Sequence, residues 1–465
     1  MSIVNSIKNV LRPFKNSLLF KYSLLPKIKV YSDNRFTVLC TVYNVEKYLE
    51  EFFESITSQT LDFEKHIFLL VIDDGSQDSS AQIIKNWQNK YPKNITYIYK
   101  ENGGQQSAFN LGLQHVKTPW VTFIDPDDTV NPRYFQEVNK CIKLGVDIVS
   151  TNIIFYFEDT KIYKPHYLHY RFKYKIKIVN PISMQGYIQS TIATVFIRTN
   201  LIQKENLQFN SKIKPVMYDG CFINNLLLAY PKSNIAFIKN AHYYYRKRED
   251  NSSLVNAAWQ NPGRYIDVIK YGLIDLLEMS QKGHKKSPLY IQRYVLYQIQ
   301  YYYKRIVNGG DTLSFMSDSE INDFKKLLII LFSYIDAEVI ESCNLGGLWH
   351  KYRIGFYNLY KDKIIFKQVC YVDSFDKGEL SLHYYYHSES NDKYTLNGEI
   401  LTPISENILE HKFLDEIFLY EKRITIPCTG KWKYFNAQIG DIETQISYKA
   451  KRYTQGIKLN KIISS

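Results

Sequence analysis

Two clusters of carboxylates in this chain stand at the ends of apolar runs. Ile72-Asp73-Asp74-Gly75-Ser76-Gln77-Asp78 closes one run, and Phe123-Ile124-Asp125-Pro126-Asp127-Asp128 closes another. In the first, a Gly-Ser turn opens the next helix, and Asp73 and Asp74 read either as turn chemistry or as an acceptor for the imide N–H of a pyrimidine base. In the second, Asp125, Asp127 and Asp128 crowd one strand end and repel one another, which is costly without a cation. Hard divalent ions take oxygen ligands and bridge to phosphates. A metal held by Asp127 with help from Asp125 would neutralise a departing diphosphate. A third element, Thr41-Val42-Tyr43-Asn44, brings a hydroxyl, a flat ring and an amide to another strand end. Those groups suit a nucleobase, and Asn44 reads equally as a helix N-cap.

The elements that must position these groups are legible as a pattern. Apolar runs at Phe36–Val42, Ile67–Ile72, Ile95–Tyr99, Trp120–Ile124 and Val146–Ser150 alternate with stretches of helical spacing, such as Leu49, Phe52, Phe53 and Ile56. Short buried strands alternating with amphipathic helices predict an α/β domain with a mostly parallel sheet. Ligands of such sheets bind outside the carboxyl ends of the strands, so the loops after Val42, Ile72 and Ile124 are expected around one crevice.

In order and spacing, VLCTVYNVEKYL, VIDDGSQDSS, ENGGQQSAFNLGL and TFIDPDDTVNP resemble the family 2 glycosyltransferases over Phe36 to about Phe135. The resemblance implies a GT-A fold, the Rossmann-like fold of nucleotide-diphospho-sugar transferases. It implies a donor pocket with Thr41, Tyr43, Asn44, Asp74, Asn102, Gly104 and Asp125, and Mg2+ or Mn2+ held by Asp127 and Asp125. It implies an acceptor-deprotonating acid, for which Asp219 in Val216-Met217-Tyr218-Asp219-Gly220 stands at the right distance along the chain. Tyr245-Arg246-Lys247-Arg248, followed by Ser252 and Ser253, looks like the family's later basic segment, so Arg246, Arg248 and Ser253 are further donor-binding candidates. Three positions depart from the family pattern: Thr41 replaces a Pro, Phe109 an Arg and Tyr218 a Glu. The last two leave donor details open. Asp219 also reads as the N-cap of a helix over Gly220–Leu228.

The function so implied is inverting, metal-dependent transfer of a sugar from a UDP-sugar to a hydroxyl of a cell-surface polysaccharide or a teichoic acid-like, polyol-phosphate acceptor. The alternative is a catalytically inactive glycan-binding or scaffold protein that kept the fold.

Four regions are expected. Residues 1–33 form a basic segment whose apolar positions 3, 7, 10, 11, 14 and 18 have helical spacing; it lies on an anionic membrane face or packs as an arm on protein. Residues 34–258 form the transferase domain. Residues 259–366 read as helical, with a tyrosine stripe over Tyr294–Tyr303 that lines an acceptor groove or is packed core. Residues 367–465 show short alternating strands and turns, a β-sandwich-like domain for acceptor binding or oligomerisation.

Bulk properties set the remaining limits. The chain has 465 residues, 45% hydrophobic and 23% charged, which fits a folded protein of two or three domains. A net charge of +13 suits an anionic polymer or lipid surface. No zinc-finger spacing, aromatic RNA-binding signature or basic heptad helix accompanies it, which argues against nucleic acid. Six scattered cysteines without metal-ligand spacing read as reduced thiols, hence a cytoplasmic location, free or peripheral on the inner membrane face.

Overall fold

The computed structural model describes residues 34–184, 186–249, 254–282, 285–361, 367–388, 391–430 and 433–463. The N-terminal basic segment and Ser253 lie outside the described residues.

Strand β1 (Phe36–Val42) is buried along its whole length. It pairs in parallel with β2 (Ile67–Asp73) on one side and β4 (Trp120–Phe123) on the other, and β2 pairs in parallel with β3 (Ile95–Tyr99). A central parallel strand is covered on both faces, which explains its unbroken apolar run. One face is covered by α1 (Glu46–Thr57), whose Leu49, Phe52, Phe53 and Ile56 are buried at helical spacing. Helices α2 (Ser80–Lys90) and α3 (Gln105–His115) follow β2 and β3.

The other half of the sheet is mixed. Strands β5 (Thr129–Val130), β6 (Ile148–Phe157), β7 (Ile162–Pro165), β8 (Ile176–Val179), β9 (Val195–Arg198) and β10 (Ile235–Lys247) complete ten strands, with the order β3-β2-β1-β4-β9-β6-β10-β5 and β7 and β8 pairing on β6 and β10. Strand β9 runs antiparallel to both β4 and β6. The expectation of a mostly parallel sheet therefore holds from β3 to β4 and stops at β9. Val195-Phe196-Ile197-Arg198 is fully buried, and an apolar run carries burial but no direction. Strand β10 has a register shift between Ile238 and His242 against β6. Beyond the shift, Tyr243 and Tyr244 pair with Val130 and Thr129, immediately after the second acidic cluster. That brings Arg246 and Arg248 to Asp127 and Asp128.

Helix α4 (Tyr134–Ile142) packs under the sheet, and α5 (Tyr218–Ala229) crosses its other face. Further helices include α6 (Leu289–Ile306), α7 (Asp318–Ser333) and α8 (His350–Tyr360). On α6 the side chains of Tyr290, Tyr294, Tyr297, Tyr302 and Tyr303 are buried. The tyrosine stripe is core, so the acceptor-groove reading of it is set aside. Among the described residues no helix is long and apolar enough to cross a membrane.

The C-terminal strands form a six-stranded and a four-stranded sheet around one apolar core that includes Leu380, Leu382, Phe435 and Ile446. Strands β11 (Lys367–Asp376) and β12 (Glu379–Tyr386) lie at the centre of the larger sheet. The hairpin β13 (Ser405–Phe413) and β14 (Glu416–Pro427) extends it. The hairpin tip enters the helical region: the Tyr303 ring stacks on Phe413 with centroids 4.2 Å apart and lies 5.4 Å from Phe418. A Cβ at Gly355 of α8 would collide with the Phe418 ring, so glycine is required for this close approach. All six cysteines are free and buried.

Candidate active site

The loops after β1 and β2 interlock. Asn44 adopts φ +50 and does not cap α1; the N-cap residue is Val45. Its side chain accepts from Gln77 N at 2.8 Å, and its own N–H donates to Ser76 Oγ at 3.1 Å. Asp78 accepts from Glu46 N and Glu46 accepts from Ser79 N. Asp73, fully buried, accepts from Ser76 N and from the Tyr97 hydroxyl, both at 2.8 Å. The two turns thus hold each other as a rigid rim.

Asp74 organises the next loop. Its carboxylate accepts from Gly103 N at 3.0 Å and Gly104 N at 2.8 Å, and it pairs with Lys100. A Cβ on Gly75 would stand 2.9 Å from Asn102 N, so this close loop contact needs glycine there, at φ +85. Asn102 is exposed and Gly104 is the N-cap residue of α3. Thr41, Tyr43, Asp74, Asn102 and Gly104 therefore belong to one neighbourhood at the strand ends. Tyr43 is 49% exposed, a ring open to stacking at the rim. The Thr41 hydroxyl is buried and has no hydrogen-bond partner among the described residues, an acceptor and donor left for a ligand.

The second acidic cluster divides its labour. Asp128 is buried and is satisfied by the Tyr243 hydroxyl at 2.6 Å and Arg246 N at 2.7 Å. Asp125 and Asp127 are half-buried. Arg248 donates twice to Asp127 Oδ2, at 3.0 and 2.7 Å. Arg246 is buried; its Nε donates to the Asp127 carbonyl at 2.7 Å, and its other nitrogens face Glu51 and Glu158. The guanidinium also lies over Tyr48 and Tyr156. Arg246, a donor-contact candidate from the sequence, clamps the acidic turn. The bulge in β10, which no local pattern announces, aims it there.

Asp219 sits in the first turn of α5. The N-cap position belongs to Met217, at φ +72, rather than to Asp219. Burial raises the Asp219 pKa, opposed by the Thr191 hydroxyl and by the amides of Gly220, Asp219 and Ile192. The same side chain acts on the acidic cluster. Burial, then Asp127 and then Asp219 push the Asp125 pKa up to about 7, against Gln105 and Arg248. Burial raises the Tyr245 hydroxyl, and Asp128, Asp127, Asp125 and Asp219 all add to that rise. The motif acids and Asp219 therefore lie near enough for their charges to act on one another.

Sequence reasoning did not single out Gln105, which joins them. Its amide nitrogen donates to Asp125 Oδ1 at 3.3 Å, and its oxygen accepts from the Tyr218 hydroxyl. Its place beside Gly104 in the ENGGQQ stretch was the available signal. Lys100, paired with Asp74, was missed because it precedes that stretch. The two unusual residues have structural explanations. Phe109 is core, packed on Phe123 and Phe209 with centroids 5.4 and 4.9 Å away. Tyr218 holds Gln105.

A divalent ion can be tested against these groups. Asp125 and Asp127 repel each other in a desolvated opening, a strain that a cation would relieve. Among the described residues no group of three Asp, Glu, His or Cys side chains is placed to hold a metal. Two carboxylates with phosphate oxygens and water completing the shell satisfy an ion of the Mg2+ class. The residues fit such an ion, provided that Arg248 yields part of Asp127.

Residues 37–202 match the model of glycosyl transferase family 2. The chain is 28% identical over 444 residues to the minor teichoic acid biosynthesis protein GgaB of Bacillus subtilis (strain 168), covering 92% of this chain and 45% of that protein. It is 27% identical over 384 residues to GgaA of the same organism, covering 77% of this chain and 82% of the relative. The chain thus spans less than half the length of GgaB. Staphylococcus aureus TarS 1–349 in complex with UDP-GlcNAc superposes with a TM-score of 0.54 at 18% identity, over 70% of this chain and 87% of that one. The ten-stranded domain therefore has the GT-A fold of that neighbour, and residues 37–202 within it carry the match to glycosyl transferase family 2.

Proposed function

We propose that the chain transfers a sugar, with inversion, from a UDP-sugar to a hydroxyl of a teichoic acid-like or other surface-polysaccharide acceptor. The observation that carries this reading is the gathering of Asp125, Asp127 and Asp219, linked through Gln105 and Tyr218, beside a rim with an open tyrosine ring and an orphaned threonine hydroxyl. The relatives named for teichoic acid biosynthesis and the UDP-GlcNAc complex of the structural neighbour support the substrate class.

The chain's own residues set up an in-line displacement. Tyr43, Thr41 and the loop held by Asp74 cradle the nucleoside. Asp219 accepts the proton of the acceptor hydroxyl as that oxygen bonds to the anomeric carbon. The bond to the diphosphate breaks on the opposite face, so an α-linked donor gives a β-linked product. Holding both reactants in line removes much of the entropic barrier. Gln105 and Tyr218 fix the Asp125 side of the cleft. Arg248 lies within reach of any phosphate drawn to Asp127. A Mg2+ or Mn2+ ion held by Asp125 and Asp127, when bound, would supply charge neutralisation at the diphosphate.

The test is incubation with a UDP-sugar panel and polyol-phosphate acceptors, with and without chelator, reading UDP release and product mass. Chelator-sensitive UDP release with a matching mass gain is expected. No turnover, together with unchanged UDP binding in Asp127→Ala, would favour the inactive scaffold, a reading to which the closed Arg248–Asp127 pair lends itself.

A further inference from the structure

A second cleft lies away from the ten-stranded sheet, where the chain entering α8 meets the larger C-terminal sheet. It has a volume of about 740 Å³. Five cationic side chains line it, Lys351, Arg353, Lys367, Lys449 and Arg452, against two carboxylates, Glu341 and Asp373. Like charges here face one another: Arg452 lowers the pKa of Arg353, after burial and alongside neighbouring groups that raise it. Arg353 donates through its two Nη atoms to the carbonyls of Glu341 and Leu348 at 2.9 and 3.3 Å, and its Nε is buried with no hydrogen-bond partner among the described residues. Two cations from different parts of the chain are held close, and the bonds of Arg353 go to neutral carbonyls, so its charge favours an anion.

The rest of the lining narrows what that anion is attached to. Trp349 is 63% exposed beside the opening. Tyr371 stacks on His383 with centroids 4.8 Å apart, and the Arg452 guanidinium lies 5.2 Å over the same tyrosine ring. Flat, rigid rings suit the C–H faces of sugars and polyols. Asp373, held by His383 at 2.7 Å, and Gln445 and Ser447 offer acceptors for hydroxyls. Carboxylates in the wall disfavour a ligand with a charge at every short step, and hydroxyls between phosphates would satisfy them. Arg452 also lines an adjoining opening of about 580 Å³, so the ligand can run past the arginine rather than end on it.

We infer that this cleft is a binding site for a chain of sugars or polyols joined by phosphodiesters, separate from the transfer site. It would hold an extended acceptor by a part other than the reacting end, raising the local concentration of hydroxyls at the transferase domain. Binding here needs neither donor nor turnover, so it stands or falls apart from the proposed transfer.

The experiment is calorimetric titration of the full chain with a synthetic oligo(glycerol phosphate) of ten units. The neutral maltoheptaose and the single-stranded oligonucleotide dT10 serve as the other arms. Arg452→Glu and Trp349→Ala are surface changes, with thermal melting to verify the fold. The expected result is salt-sensitive binding of the oligo(glycerol phosphate), weakened at least ten-fold by Arg452→Glu and less by Trp349→Ala, with UDP affinity unchanged in both. Absence of wild-type binding, equal binding by folded Arg452→Glu, or binding of dT10 or maltoheptaose as tight as that of the oligo(glycerol phosphate), would each overturn it.

Discussion

The two clefts of this molecule are built on opposite terms. The candidate active site gathers like-charged acids, Asp125 and Asp127 at a strand end and Asp219 in the first turn of α5, and burial makes their company expensive. The C-terminal cleft gathers cations, and its rings and hydroxyl acceptors soften the repulsion. The first has clamps from its own chain, Arg248 on Asp127 and Lys100 on Asp74. The second leaves Arg353 Nε unpartnered. On the proposed roles, chemistry calls for acids held in a fixed geometry, whereas retention of a polymer calls for a surplus of cations.

That contrast can be tested by single substitutions. The largest effect is expected from Asp219→Asn: a fall in transfer of about 10²–10⁴-fold with UDP affinity nearly unchanged, read by initial rates and titration. In the wild type, the raised Asp219 pKa means that the base form accumulates only at higher pH. The transfer rate should therefore climb with pH through an apparent pKa above the usual carboxylate range of about 4. A pH-rate profile that is flat from pH 5 to 8 would remove the base assignment.

Next in size is Arg246→Ala. Losing a buried guanidinium that clamps Asp127 and faces Glu51 and Glu158 should lower stability by about 3 kcal/mol and Tm by roughly 6–12 °C. If the residue instead served only to contact the donor, Tm would stay and only UDP affinity would fall.

The smallest expected effect has the opposite sign. Asp125 has a folded pKa near 7, above its ordinary value, so its contribution to stability is complete at low pH and is lost as pH rises through about 7. Asp125→Asn removes that loss. Without divalent ions, Tm should rise by about 2–4 °C at pH 8 and by less at pH 5, while transfer suffers. A drop in Tm at pH 8 would mean that the acidic opening is not under strain.

How much could be read from the sequence follows from distance along the chain. The strand and helix alternation and the two acidic turns are local patterns, and the structure brings Thr41, Tyr43, Asp74, Asn102 and Gly104 into one neighbourhood and Asp125, Asp127 and Asp219 within electrostatic reach of one another. Gln105 went unremarked because its place beside Gly104 gains its meaning only when Tyr218 arrives from over a hundred residues away. The contact of Arg246 with the acidic turn was not legible because a register shift in β10 decides where it points. The C-terminal cleft was invisible for the same reason on a larger scale, since its lining spans Glu341 to Arg452 and no stretch of it is unusual alone.

The hairpin tip that carries Phe413 and Phe418 into the helices ties the fate of the two ends of the protein together. A chain cut after Lys361 would uncover Tyr303, Phe356 and the hollow above Gly355, an oily socket facing water. The β-rich end therefore acts as a stopper as well as a module, and removing it to isolate the transferase should yield insoluble protein, whatever that end contributes to recognition.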